Sequence, residues 1–436
     1  MLSKKIAGMI HAYPSMYLLD SLHQAGWQVV LIVPEEFDDA SLLQHPALID
    51  VFKCDFNNEI SIVETAINSH QQQSWDVVLP INEGCVDVSA MVAEALSLRG
   101  NSLDAARLSR DKAMTYQRLS QANIPHPTSM VVHSYQQAIN ASDSVPFPAI
   151  LKLADSMNSQ GVIRVNNSEQ YKVAMDQLFS MFNQQSTNDF SQDRNIYAYG
   201  KSGGKVVIQP FLADEEIGID LLYCGEKTTM LGIFEKSPSV GPYFAEQYSV
   251  YPTSLSSQQI HDACELAKQT VFALGATVGA AHVEIRFSQG RPYVLEAGLR
   301  PGGGYTAIAC EKLTGINTYV ALAELLANGD IPKNCLDEAT TRKPDSVLYG
   351  GILYDQSGVL TSVSGDEKIA QRDEVLDWVC LAQVGDEVFT MPDAAQPHYA
   401  YYLLKAKTRE QVLDAHFAIQ HDVTLDIRGA EQGQTL

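Results

Sequence analysis

The sequence predicts an α/β unit with a parallel sheet, followed by α+β units rich in strands. Three observations predict it. Strand-sized apolar runs alternate with helical periods over residues 1–110. A proline-bearing stop, Asn123-Ile124-Pro125-His126-Pro127, closes that region. Past residue 205 strand patterns dominate. The 436 residues correspond to about three units at roughly 150 residues each. With 45% apolar and 19% charged residues, the composition is globular and excludes disorder, collagen and coiled coil.

The elements follow in order. Lys4–Ile10 and Gln28–Pro34 read as strands, with helical period over Ser15–Gly26 between them. Asp50–Asp55 and Trp75–Ile81 are two further strands around a helix at Glu59–His70, and Ala90–Leu98 is again helical. Ligands on parallel sheets bind at the carboxyl ends of strands. Asn82-Glu83-Gly84 follows such an end, which makes Glu83 a candidate substrate contact. No GxGxxG follows the first strand, so a dinucleotide fingerprint is missing. Ser109–Gln121 reads as one polar helix, and a boundary falls near 110–125. Residues 128–200 read strand, helix, strand, glycine loop, strand, helix, with a polar and mobile excursion expected at Ser186–Gly204. An amphipathic helix at Ser256–Leu274 interrupts the strands, and Ala307–Asn328 is helical. From Asp345 to Ile427 the chain is mostly β with a helix at Arg409–Gln420, a small unit packed on the one before. The last residues, Gly429–Leu436, are polar and expected to fray.

Charge and cysteines bound the function. Against 30 Lys and Arg stand 52 Asp and Glu, a formal net charge of −22. Such a chain repels nucleic acid, yet it can hold phosphate locally if its few cations gather in one cleft. No apolar run approaches the roughly 20 residues of a membrane span, and the N-terminus lacks a signal-peptide core. The seven cysteines are scattered without zinc spacing, which suits reduced buried thiols in the cytoplasm.

The strongest chemical cluster is His282-Val283-Glu284-Ile285-Arg286, followed by Tyr293 to Gly304 (YVLEAGLRPGGG). A turn at Ser288-Gln289-Gly290 sets Glu284 beside Glu296. Alternation turns Val283, Ile285 and Phe287 one way and His282, Glu284 and Arg286 the other. Two carboxylates facing one cleft repel unless a cation lies between them, and Mg²⁺ is the natural choice beside phosphates. Arg300, ahead of three glycines, suits a phosphoryl or acyl-phosphate oxygen. Taken alone, the same residues also suit a surface hairpin with solvated charges.

Lys152 ends the apolar strand Phe147–Lys152, where an ammonium is costly unless it meets an anion. Asp155 to Val162 (DSMNSQGV) can lay backbone N–H groups over phosphates, although it is not a Walker loop and also suits a plain hairpin. Val206–Leu212 runs into Asp214 to Asp220 (DEEIGID), either an adenine and ribose clamp or an edge strand with a charged turn.

In order and spacing, Lys112, Lys152 with its loop, the Gln209–Leu212 linker, Glu216, Glu284, Glu296 and Arg300 resemble the ATP-grasp ligases over roughly residues 110–330. The first 110 residues resemble the α/β domain that precedes the grasp in carboxylate–amine ligases. Tyr349–Leu353 through Gly358-Val359-Leu360 resembles the β-rich lid of the branch containing L-amino acid ligases, the bacilysin-type dipeptide synthetases.

The resemblance implies an ATP-grasp fold divided at 1–110, 111–205, 206–344 and 345–436. It implies that Lys112 and Lys152 hold the ATP phosphates, under a loop containing Ser156, Ser159, Gln160, Gly161 and Val162. Gln209, Phe211 and Leu212 would contact adenine, and Glu216 the ribose. Glu284 and Glu296 would bridge Mg²⁺, with Mn²⁺ as the substitute metal. Arg300, with Gly302, Gly303 and Gly304, would grip the acyl phosphate and substrate carboxylate, with Glu83 and His282 as further substrate contacts. His282 is equally open to core packing, while His11, His126 and His398 are read as structural.

Two positions depart from the family pattern. Gly298 stands where the Glu-x-Asn-x-Arg motif has Asn, and Gln209 begins the linker where Glu is common. The implied activity is ADP-forming amide synthesis from two amino-acid-like small molecules, giving a dipeptide or related amide of the kind used in antibiotic synthesis. The implied assembly is a homodimer. The competing readings are a purine- or cofactor-pathway ATP-grasp enzyme and an ATP-binding module without turnover.

Overall fold

The computed structural model describes residues 5–11, 14–157, 159–185, 204–239, 241–336, 345–392 and 397–429. The excursion expected after residue 185 lies outside them up to 203, as do Asn158 and the tail from 430. The first layer is a four-stranded parallel sheet in the order Leu48–Cys54, Trp27–Pro34, Lys5–Ile10, Val77–Val78. The strand Trp27–Pro34 reads as an unbroken apolar run, Val29–Val33, because both its faces are covered. Val29, Leu31 and Val33 face one core with Leu18, Leu22 and Leu322. Val30 and Ile32 face the other with Ile62, Val88 and Val92.

The polar stretch at 109–121 is not one helix. It is two, Leu103–Arg110 and Lys112–Gln121, broken at Asp111. The Asp111 carboxylate accepts from the N–H groups of Ala113 and Met114 at 2.9 and 3.1 Å, an N-cap that requires extended backbone. It also meets Lys205 at 2.8 Å. The helical stretch near 307–328 divides likewise, into Thr306–Thr314 and Thr318–Asn328. Gly315, at φ 74°, ends the first, and the Asn317 side chain caps the second.

Two antiparallel sheets enclose the cleft. The smaller runs Met130–Val132, Val206–Pro210, Ala149–Leu153, Val162–Val165, backed by the helices Tyr135–Ala141 and Ser168–Gln185. The larger has eight strands, in the order Arg291–Gly298, Val278–Ser288, Glu216–Cys224, Lys227–Lys236, Tyr248–Tyr251, Ser346–Leu353, His398–Ala406, Val375–Cys380. Its last three strands come from the C-terminal segment. Tyr248 pairs with Gly350 and Tyr251 with Val347, so this segment is hydrogen-bonded into the sheet rather than stacked on it. A three-stranded sheet, Glu387–Val388, Gly358–Ser364, Thr424–Arg428, lies beside it with the helix Arg409–Asp422.

Candidate active site

The hairpin that carries Glu284 and Glu296 forms as its alternation predicts. Glu284 stands opposite Glu296, His282 opposite Gly298, and a bulge follows at Leu295. Val283, Ile285 and Phe287 are fully buried in the core, whereas His282, Glu284 and Arg286 line a cavity of about 540 Å³. The cavity draws on three of the four sheets: Glu83 just beyond the parallel sheet, Lys112 from the helix capped by Asp111, Lys152 and the Gln209–Leu212 linker from the small sheet, and the hairpin and C-terminal strands from the large one.

Most of the residues singled out from the sequence line this cavity. Gln160, Gly161 and Gly302 do not. Gly161 accepts from Leu153 N at 3.2 Å and so folds back on the strand, while Gln160 N donates to Met157 O at 3.0 Å within the loop itself. Gly302 N donates to Asp220 Oδ1 at 2.7 Å. The Gln209 amide also turns inward, donating to Ser129 Oγ at 2.8 Å.

Lys112, Lys152, Lys236, Arg286 and Arg300 gather in this one cleft. Lys112 lies 3.2 Å from Glu296 and donates to Ser156 O at 2.5 Å. Lys152 is buried and its Nζ is 3.4 Å from the Tyr116 hydroxyl; burial lowers its pKa. Arg286 meets Glu216 at 2.7 Å. Glu83 is held between Arg110 and Arg300. Burial works against the Glu83 carboxylate, but Arg300 and then Arg110 outweigh it and bring its pKa down to about 2. At Gly298 an added Cβ would stand 3.2 Å from Glu83 Oε2, so Glu83 fills the space beside the position where Asn is usual.

Sequence reasoning missed three groups. Lys236 reaches Glu284 at 2.5 Å, Glu216 at 3.2 Å and Glu246 at 3.9 Å. Its burial opposes the charge, yet Glu284 and then Glu216 raise its pKa well above the usual lysine value, while Glu284 is held well below the carboxylate range. The signal was there: Lys236, like Lys152, closes an apolar strand run. Asp220 lies 3.0 Å from His282 Nδ1. Burial lowers the His282 pKa, but Asp220 more than compensates and takes it to about 9, so the ring is cationic near neutrality. His282 is thus a cavity group rather than core filling. The third group is a set of rings on the C-terminal strands, including His398, for which the sequence offers no periodic signal.

Residues 145–308 match the ATP-grasp domain family. The chain is 24% identical over 362 residues to an alanine–anticapsin ligase of Bacillus subtilis (strain 168), covering 78% of this chain and 74% of that one. It is 24% identical over 323 residues to dapdiamide A synthase of Enterobacter agglomerans, covering 72% and 71%. Its fold superimposes on an L-amino acid ligase from Bacillus licheniformis with TM-score 0.84 at 21% identity, over 98% of this chain and 99% of that one. The chain carries an ATP-grasp domain within an ATP-grasp fold, and two of the relatives it matches in sequence are a ligase and a synthase.

Proposed function

We propose that this ATP-grasp chain is an ADP-forming carboxylate–amine ligase that joins two amino-acid-like substrates. One carboxylate takes the γ-phosphoryl group of ATP, and the resulting acyl phosphate is attacked by the amine of the second substrate to give an amide and phosphate. The observation that carries the reading is the convergence of Glu284, Glu296, Lys112, Lys152 and Arg300 on one cavity that Glu83 also reaches. A relative named for ligating alanine supports amino acids as substrates.

Glu284 and Glu296 fit a hard cation such as Mg²⁺. They face each other on paired strands, and among the described residues no cluster of three or more protein ligands that could hold a metal is present. Mg²⁺ commonly completes its shell with phosphate oxygens and water. Glu284 and Glu296 would hold it, and when bound it neutralises charge on the phosphates. Everything else falls to the chain. Lys112 and Lys152 would bind the phosphates, adding to Glu296 and the Tyr116 hydroxyl as partners for their ammonium groups. The Gln209 side chain is committed to Ser129, so adenine would be read by the main chain of the linker and by Phe211 and Leu212. Glu216 would accept from the ribose hydroxyls. Arg300 and the amides of Gly303 and Gly304 would meet charge on the acyl phosphate, and positioning rather than a protein nucleophile drives the transfer. A homodimer belongs to this proposal and is read by sedimentation.

The test is isotopic. With ATP, Mg²⁺, pairs of amino acids and ¹⁸O in the donor carboxylate, the products are ADP, a dipeptide and phosphate carrying one label. Label in AMP, or amide without label in phosphate, sinks the mechanism.

A further inference from the structure

Lys236 closes the strand Lys227–Lys236, and the alternation that turns Glu235 toward Arg409 turns Lys236 into the cavity. Its ammonium lies 2.5 Å from Glu284 Oε1 and 3.2 Å from Glu216 Oε1, with Glu246 at 3.9 Å. Glu284 has a second cationic neighbour, since His282 Nε2 stands 3.8 Å from the same oxygen. Glu216 has one too, Arg286, at 2.7 Å. The charge of Glu284 is therefore answered by the chain itself before any metal arrives.

The cavity is balanced in the same way. Among the described residues its lining holds five carboxylates and five Lys or Arg, and cationic His282 is matched by Asp220. A divalent cation entering alone must displace the Lys236 ammonium from Glu284, and it leaves the cavity with uncompensated positive charge. A nucleoside triphosphate removes both obstacles. In the ligase reading the ribose lies at Glu216 and the metal at Glu284 and Glu296. The phosphate chain that joins them runs past Lys236, which touches Glu216 and Glu284 alike. Phosphate oxygens then give the ammonium a new partner while Glu284 turns to the metal.

We propose that Lys236 gates the metal site: its ammonium holds Glu284 until the phosphates of a nucleotide draw it away, so the divalent cation binds together with the nucleotide and not before it. This rests on the ligase reading above and adds an order of assembly to it.

The experiment uses the full chain and Mn²⁺, whose free form is read by electron paramagnetic resonance. Lys236→Met keeps the length of the side chain and removes its charge. Without nucleotide it should bind Mn²⁺ at least about tenfold more tightly than wild type, because a like charge at contact distance is gone. Lys236→Met combined with Glu284→Gln should lose that gain, and Lys236→Arg should stay near wild type. A non-hydrolysable ATP analogue, titrated by calorimetry without metal, should bind Lys236→Met at least about tenfold more weakly. A lysine with a structural role alone would not move the two ligands in opposite directions. Mn²⁺ affinity that is unchanged or lower in Lys236→Met, or a gain that survives Glu284→Gln, overturns the proposal. Where Lys236→Met fails to fold, the wild type decides: Mn²⁺ binding without nucleotide that Glu284→Gln abolishes overturns the proposal, and binding that Glu284→Gln leaves unchanged supports it. ADP formation from no pair of amino acids, with the Mn²⁺ gain of Lys236→Met intact, overturns the ligase reading and leaves the gate standing.

Discussion

Glu83 shows how much one side chain can couple. It starts a short turn after the last parallel strand, yet its carboxylate is gripped by Arg110 and by Arg300 from the far end of the Glu284–Glu296 hairpin. Its pKa falls from the ordinary 4.5 to about 2 because the two guanidinium groups outweigh burial. A depressed carboxylate pKa contributes stability that is present above the unfolded value and is lost as pH falls through the folded one. The contribution of Glu83 is therefore complete above pH 4.5 and fades between 4.5 and 2. Glu83→Gln should lower stability to denaturant at pH 7, and the gap to wild type should narrow through that window. A gap that stays constant down to the acid limit of the fold contradicts the pairing. At this scale the sequence was informative about residue types and poor on partners. Glu83, Glu284, Glu296 and Arg300 could be picked out, but not that Lys236 neutralises Glu284, because the two are 48 positions apart and meet only across the sheet.

Among the elements, the helix break at Asp111 matters most for function, since it aims Lys112 at Glu296 and Ser156 O. Removing the cap with Asp111→Ala should cost about 1 kcal/mol of stability, and more where Lys205 loses its partner. ATP affinity should fall as well, because the first turn of the helix carries Lys112. Urea denaturation and nucleotide titration on the same variant check both; unchanged affinity would show that the cap is structural only. Strands and helices with a strong period were legible, as at Trp27–Pro34 and Ser257–Ala273. Interruptions were not. Asp111 and Asn317 look like ordinary polar positions on a helix surface until the capped backbone is seen, and Gly315 costs a helix only about 1 kcal/mol in propensity.

For the whole molecule, one apolar core joins distant parts of the chain. Leu31 of the parallel sheet, Leu322 of the helix Thr318–Asn328, and Val347 and Leu403 of the C-terminal strands belong to the same cluster. Ion pairs from Lys5 to Glu324 and hydrogen bonds from Arg99 to the carbonyls of Leu326 and Ala327 cross the same junction. The chain should therefore unfold in one calorimetric transition, and truncation before residue 345 should yield insoluble protein, because Tyr248–Tyr251 would become a bare edge. Two resolved transitions, or a soluble truncated chain, would count against this coupling. The sequence by itself determined the α/β opening, the pairing of Glu284 with Glu296 and the cations available to the cleft, since period and turn spacing act within a few residues of chain. Only the tertiary structure decided which cation meets which acid, that Asp220 holds His282, that the C-terminal strands complete the large sheet, and that their rings wall the cavity. Those contacts join residues tens to hundreds of positions apart, and a charge or a ring carries no mark in the sequence of the partner that folding brings to it.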